Sequence, residues 1–277
     1  MAGALEPGLT PLTNIHYQTP HLAAYFAAHR RCWDEFYPSE RWVFDRIGAA
    51  PGGFGRLLDV GCAVGGLGRA LEEKFTLASY AGLDINAAAI DAAKELPALT
   101  APARFECGDI VTADGIADGA FDTVASLSVA DWNVETDAII AACWRKVAPG
   151  GRLVISLRLT DRAGTRDPNI SFQPIVPSED FDLPDGSAVE TAPYVVLNGS
   201  EALGMFLDLD PAPADILAYG YWGVPSKTAT TPYDPLAFAV LSVGRGEHDG
   251  AQRDTRLECH LPASVFAGPP MKGDVTR

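Results

Sequence analysis

The sequence predicts an α/β fold built on a mostly parallel sheet with helices on both faces. Three observations carry this expectation. Short apolar runs alternate with helical patterns between residues 56 and 157. The first run, Leu57-Leu58-Asp59-Val60, ends in Gly61-Cys62-Ala63-Val64-Gly65-Gly66, a glycine-rich turn that opens a helix. Two Pro-Gly-Gly breaks, at Pro51 and Pro149, stand before the first run and before a later one.

The elements follow in order. Residues 1–20 carry Pro7, Pro11 and Pro20 and read as an irregular arm. In 21–33, Leu22, Tyr25, Phe26 and Trp33 fall near helical spacing, and 39–47 reads as a second helix with Ser39 as its N-cap. Strands are expected at 56–60, 80–85, 103–107, 121–127 and 152–157, with helices at 65–75, 87–96 and 136–147 between them. The stretch 160–193 breaks the alternation. Its five prolines exclude a long helix, and it reads as a functional cover or mobile insertion. A helix at 198–209 and strands at 215–221 and 236–243 close the pattern. The chain divides into an N-terminal helical lid (1–50), a core (51–245) with the insertion at 160–193, and a loosely ordered tail (246–277).

A chain of 277 residues is long enough to bury most of its surface without metal or disulfide staples. With 47% hydrophobic and 21% charged residues it falls outside the disordered class. A net charge of -15 repels a phosphate backbone, so nucleic acid is not expected as the main partner. Five scattered cysteines without a CxxC pair fit free thiols in a reducing cytosol, and a cytoplasmic protein is expected. The first residues lack a basic region followed by an apolar one, and no apolar run nears the roughly 20 residues of a membrane span. Neither a secretion signal nor membrane attachment is expected. Only five of the 21 basic residues are Lys, and Ala, Gly and Pro abound, a bias that fits a GC-rich bacterial genome.

The chemistry concentrates at strand ends. From Gly61 the third position is Ala63 rather than Gly, so Gly-x-Gly-x-x-Gly is absent, and so is the Gly-Lys-Ser/Thr of a phosphate loop. Asp84 closes the second strand in Gly82-Leu83-Asp84-Ile85-Asn86, where one carboxylate can accept hydrogen bonds from both hydroxyls of a diol. Cys107-Gly108-Asp109-Ile110 follows the third strand, Phe121 to Leu127 with Ser126 forms the fourth, and Val147-Ala148-Pro149-Gly150-Gly151 precedes the fifth.

This ordered set resembles the motifs of class I S-adenosylmethionine (SAM) dependent methyltransferases over about a third of the chain. Ala63 departs from the family's middle glycine, a small change expected to narrow the turn without closing it. The resemblance implies a seven-stranded, Rossmann-like sheet with the last strand antiparallel. It also implies SAM as cofactor, S-adenosylhomocysteine as product, and a small-molecule acceptor such as a secondary metabolite or sugar. Oxygen is slightly favoured over nitrogen or carbon. The implied cofactor residues are Asp59, Gly61, Cys62, Ala63, Gly65, Asp84, Ile85, Gly108, Asp109, Ile110 and Ser126, with Asp109 near the adenine amino group.

Asp131 and His16 are the candidate bases, each weighed against an ordinary loop acid or surface histidine. Tyr17, Trp132, Tyr221 and Trp222 are the candidate acceptor contacts, the last two also reading as sheet packing. Arg162 beside Asp161 opposes a divalent cation, so no metal is expected. A homodimer is compatible with the sequence. Two rival readings stand beside the enzyme: a SAM-binding protein without transfer activity, and an NAD(P)-dependent oxidoreductase.

Overall fold

Buried apolar runs and amphipathic helices alternate along the computed structural model, which describes residues 10–11, 20–50, 52–175, 190–248 and 254–267. The chain begins with strand β1 (Thr10–Pro11), helix α1 (Pro20–Ala28) and helix α2 (Pro38–Gly48). The alternating unit is β2 (Arg56–Val60), α3 (Gly66–Glu72), β3 (Ser79–Asp84), α4 (Ala87–Glu95), β4 (Ala103–Cys107), β5 (Phe121–Ser126), α5 (Thr136–Lys146) and β6 (Val147–Thr160). Then come β7 (Phe172–Pro174), β8 (Glu190–Pro193), β9 (Leu197–Asn198), α6 (Gly199–Leu207), β10 (Pro213–Gly223), β11 (Leu236–Arg245) and β12 (Arg256–His260).

The main sheet runs β12-β10-β11-β6-β5-β2-β3-β4, with β9 joined to β6. From β4 to β6 all neighbours are parallel, and β11 lies antiparallel between β6 and β10. Both faces of the parallel strands are covered, which is why they are continuous apolar runs: Leu57, Leu58, Val154 and Ile155 are fully buried. One face packs Leu58, Val60, Ile155 and Leu157 against Trp144 and Phe206. The other packs Leu57, Val154 and Val240 against Phe44, Phe54 and Leu71. The chain builds β2, β3 and β4 outward in one direction and then returns to place β5 and β6 on the other side. Strand order reverses between β2 and β5, and their carboxyl ends open a crevice there.

Several expectations change. Among the described residues the sheet has nine strands rather than seven, because β9 and β12 extend it. Residues 256–260 pair in parallel with β10, so the tail is not loosely held throughout; the strand covers backbone groups that β10 would leave bare at the sheet edge. The insertion is not structureless either. Glu190–Pro193 pairs with Phe172–Pro174 and Thr10–Pro11 in a separate three-stranded sheet. Ser39 does not cap α2: the helix starts at Pro38, whose fixed φ suits the first helical position, and Glu40 accepts the Tyr37 N–H at 2.8 Å. Helix α3 is shorter than the 65–75 expected, and β6 starts five residues before 152.

Candidate functional site

A cavity of about 1060 Å³ opens over the carboxyl ends of β2, β3, β5 and β6, beneath the end of α1 and residues 224–228. Its floor is the turn after β2. Gly61 has φ +75°, and a Cβ there would stand 2.2 Å from Val129 Cγ2. At Gly66 a Cβ would stand 2.0 Å from the Arg30 carbonyl oxygen, so the chain after α1 sits directly on the start of α3. Ala63, where the family's pattern has glycine, adopts φ +47°. The left-handed conformation is therefore kept and Cβ strain of about 1–2 kcal/mol accepted.

Three carboxylates mark this end. Asp84 ties two turns together: one oxygen accepts the Ala63 N–H and the other the Asn86 N–H, each at 2.8 Å. Burial raises its pKa despite those bonds. Asp59, at the end of β2, is 4% exposed and accepts the Tyr80 hydroxyl at 2.6 Å. Burial pushes its pKa up to about 7. Asp109 accepts the Val111 N–H at 2.9 Å through one oxygen. Cys62, Ile85, Gly108 and Ile110 share the wall with these groups.

The other end is aromatic. Trp132 and Tyr194 meet edge to face at 5.6 Å, and the Arg158 guanidinium lies 4.3 Å over the Phe238 ring and 5.5 Å from Tyr37. Arg158 is 4% exposed and forms an ion pair with Asp131 at 3.4 Å. Asp131 is fully buried, neither of its oxygens has a hydrogen-bond partner, and burial raises its pKa. Glu40, also buried, pairs with Arg30 at 2.9 Å. At the mouth, His29 places Nδ1 2.8 Å from the Tyr25 carbonyl. A carbonyl only accepts, so Nδ1 is the donor of this bond.

The structure brings most of the sequence-predicted residues together, and separates some. Asp59, Gly61, Cys62, Ala63, Asp84, Ile85, Gly108, Asp109, Ile110 and Trp132 all line the cavity. Gly65 stands behind the wall as the residue before α3, at φ +78°. Ser126 is fully buried within β5, on the face of Val124, and does not line the cavity. Asp131 lies behind Arg158, outside the lining, so its carboxylate is the counter-ion of a guanidinium and not a group facing an acceptor. Tyr221 is separated from the cavity by Phe238, on which it stacks at 5.8 Å, and Trp222 packs against the main core. His16 and Tyr17 lie outside the described residues. Sequence reasoning missed His29, Arg30, Arg158 and Tyr194. The one available signal was Arg158 itself, a lone charge in the apolar run Leu153 to Leu159. Among the described residues no cluster of three His, Cys, Asp or Glu could hold a metal ion, and no helix is long and apolar enough to cross a membrane.

An open α/β sheet with glycine and acidic turns at its reversal point defines a nucleotide-type ligand site. Residues 58–155 match the model of the methyltransferase domain family. This matched segment, about a third of the chain, is the one that carries the resemblance to class I S-adenosylmethionine-dependent methyltransferases. The chain is 31% identical over 106 residues to the trans-aconitate 2-methyltransferase of Deinococcus radiodurans, covering 38% of each chain. Over 148 residues it is 30% identical to a ubiquinone biosynthesis O-methyltransferase of Pseudomonas fluorescens, covering 49% of this chain and 61% of that one. The chain thus spans less than two thirds of the length of these curated relatives. Among solved structures, the [4+2]-cyclase SpnF aligns with a TM-score of 0.52 at 17% identity, over 88% of this chain and all of that one. A Haemonchus contortus phosphoethanolamine N-methyltransferase aligns with a TM-score of 0.53 at 13% identity, over 83% of this chain and 58% of that one. These two likenesses speak for the fold.

Proposed function

We propose that the protein is an enzyme that transfers the methyl group of SAM to a small-molecule acceptor, with oxygen the favoured acceptor atom. The observation that supports this best is one continuous cavity joining the Ala63–Asp84–Asp109 end to a separate aromatic end large enough for a second molecule. The residues fit the cofactor. Each Asp84 oxygen retains a lone pair beyond the backbone N–H it accepts, sufficient for a ribose diol, and Asp109 retains a second oxygen for an exocyclic amine. The absence of side chains at Gly61 and Gly66 leaves the turn close-packed beneath the ligand.

When bound, SAM supplies a methyl group activated on a sulfonium. The chain's own residues hold the acceptor oxygen in line at about 3 Å and keep water out. A hydroxyl acceptor would lose its proton on methylation, so the site would need a base. We assign that role to Nε2 of His29, which lines the cavity and whose Nδ1 is engaged by the Tyr25 carbonyl. The names of the curated relatives, one an O-methyltransferase and one a trans-aconitate methyltransferase, support a small acceptor. The free cysteines among the described residues support a reducing, cytoplasmic setting.

Calorimetric titration of the purified protein with SAM, S-adenosylhomocysteine and NAD(P)H tests the first half. Micromolar binding of the first two, and none of the nicotinamide, is expected. Failure of both SAM and its product to bind would end the proposal. Formation of S-adenosylhomocysteine in a screen of small hydroxylated acceptors tests the second half.

A further inference from the structure

Resting on the methyltransferase reading, we infer that the acceptor is an anion: a flat, aromatic or unsaturated carboxylic acid whose carboxylate is held by Arg158. Arg158 projects from β6 on the Val154 and Ser156 face, while Leu157 and Leu159 take the opposite face. It is 4% exposed and forms part of the cavity wall. Taking a guanidinium out of water costs several kcal/mol unless its donors are met. Here they are incompletely met. The ion pair with Asp131 is 3.4 Å long, beyond a close charge-assisted bond; the Tyr194 side chain is the guanidinium's other polar partner, and among the described residues Arg158 Nε has no acceptor.

The arrangement is also directional. Asp131 stands outside the cavity lining and Arg158 within it, so the cation, not the carboxylate, is what a bound molecule meets. Trp132 Nε1 on the same wall is buried without an acceptor as well. Two donors lacking acceptors match the several lone pairs of a carboxylate, and Gln173 Oε1, also without a partner on this wall, is a neutral acceptor that does not oppose an anion as a carboxylate would. Nearby Glu40 does not reverse this, because Arg30 holds it at 2.9 Å. The aromatic wall beside the guanidinium, formed by Tyr37, Trp132 and Tyr194, favours a planar body attached to that anion.

The test uses full-length protein saturated with S-adenosylhomocysteine and titrated with benzoate, cinnamate and 4-hydroxycinnamate, each against its carboxamide. At least one acid should bind tenfold or more tightly than its amide. In Arg158→Gln/Asp131→Asn, which removes both buried charges and leaves neither ion unpaired, that preference should fall to within threefold. Unchanged S-adenosylhomocysteine affinity would show the double variant to be folded. Amides binding as well as acids, no acid binding to the loaded protein, or a preference surviving in the double variant would each overturn the assignment. A protein that does not bind S-adenosylhomocysteine at all would instead overturn the methyltransferase reading on which the assignment stands.

Discussion

Gly61→Ala probes the floor of the cavity most directly. Two costs follow from its geometry. Alanine at φ +75° incurs about 1–2 kcal/mol of left-handed strain. Its Cβ would also stand 2.2 Å from Val129 Cγ2, so that methyl must retreat by more than an ångström within a packed wall, an overpacking cost of about 1–3 kcal/mol. The sum, about 2–5 kcal/mol, will divide between folding stability and cofactor affinity. Only the second cost depends on Val129. Gly61→Ala/Val129→Ala should therefore recover about 1–3 kcal/mol relative to the product of the single effects, while the backbone strain stays. Urea unfolding and SAM calorimetry on the four proteins of the cycle measure both parts. Additivity of the two substitutions within a few tenths of a kcal/mol, in both assays, would refute the close approach of this turn to the segment after β5.

Asp59 gives the protein a pH dependence of definite sign. Its folded pKa of about 7 lies above the ordinary carboxylate value, so the folded state holds more protons than the unfolded one between about pH 4 and pH 7. This group's contribution is present in full below about pH 4 and is lost as pH rises towards 7; urea midpoints at pH 5, 6 and 7 should show a decline that Asp59→Asn flattens, and an unchanged slope in the variant would exclude Asp59 as its source. Asp131→Ala should destabilise the fold by about 3–5 kcal/mol, because it strands the buried Arg158 guanidinium, yet move SAM affinity less than twofold; a large affinity loss with intact stability would put Asp131 in the ligand site after all. His29→Gln should lower turnover by about 10²-fold or more at constant SAM affinity, and equal turnover would remove this side chain from the proton's path.

The half of the site proposed for the cofactor is legible because its signals are local. An acid at a strand's last position and a glycine turn after it are adjacent in sequence, and strand alternation places Asp59, Asp84 and Asp109 at one end of the sheet. The acceptor half was not, because it assembles from β6, the segment after β5, the chain following α1 and the loop before β9, which only the folded sheet brings together. Asp131 illustrates the difference. Its position after the fourth parallel strand is legible, and Arg158 stands out as a lone charge in an apolar run, but nothing in the sequence shows that these two residues, 27 apart on neighbouring elements, pair with each other. Strand β12 escaped for a related reason. Its five residues are all exposed, so no hydrophobic alternation marks them, and only pairing to β10 makes them a strand. Ser126 was misplaced by a matter of face: one residue earlier, at Ala125, the side chain joins the opposite core.

The double bond acceptance by Asp84 bears on how quickly a ligand could come and go. The turns after β2 and β3 are clasped by one carboxylate, so the walls that a nucleoside would touch are fixed to each other. These two turns need no ordering at the moment of encounter, and little of the interaction energy is diverted into it. A ligand entering from the α1 side would then have to displace the segment resting on Gly66, where the Arg30 carbonyl covers the start of α3. Entry and exit on that side would be timed by that hatch, and the binding surface itself would behave as a rigid mould.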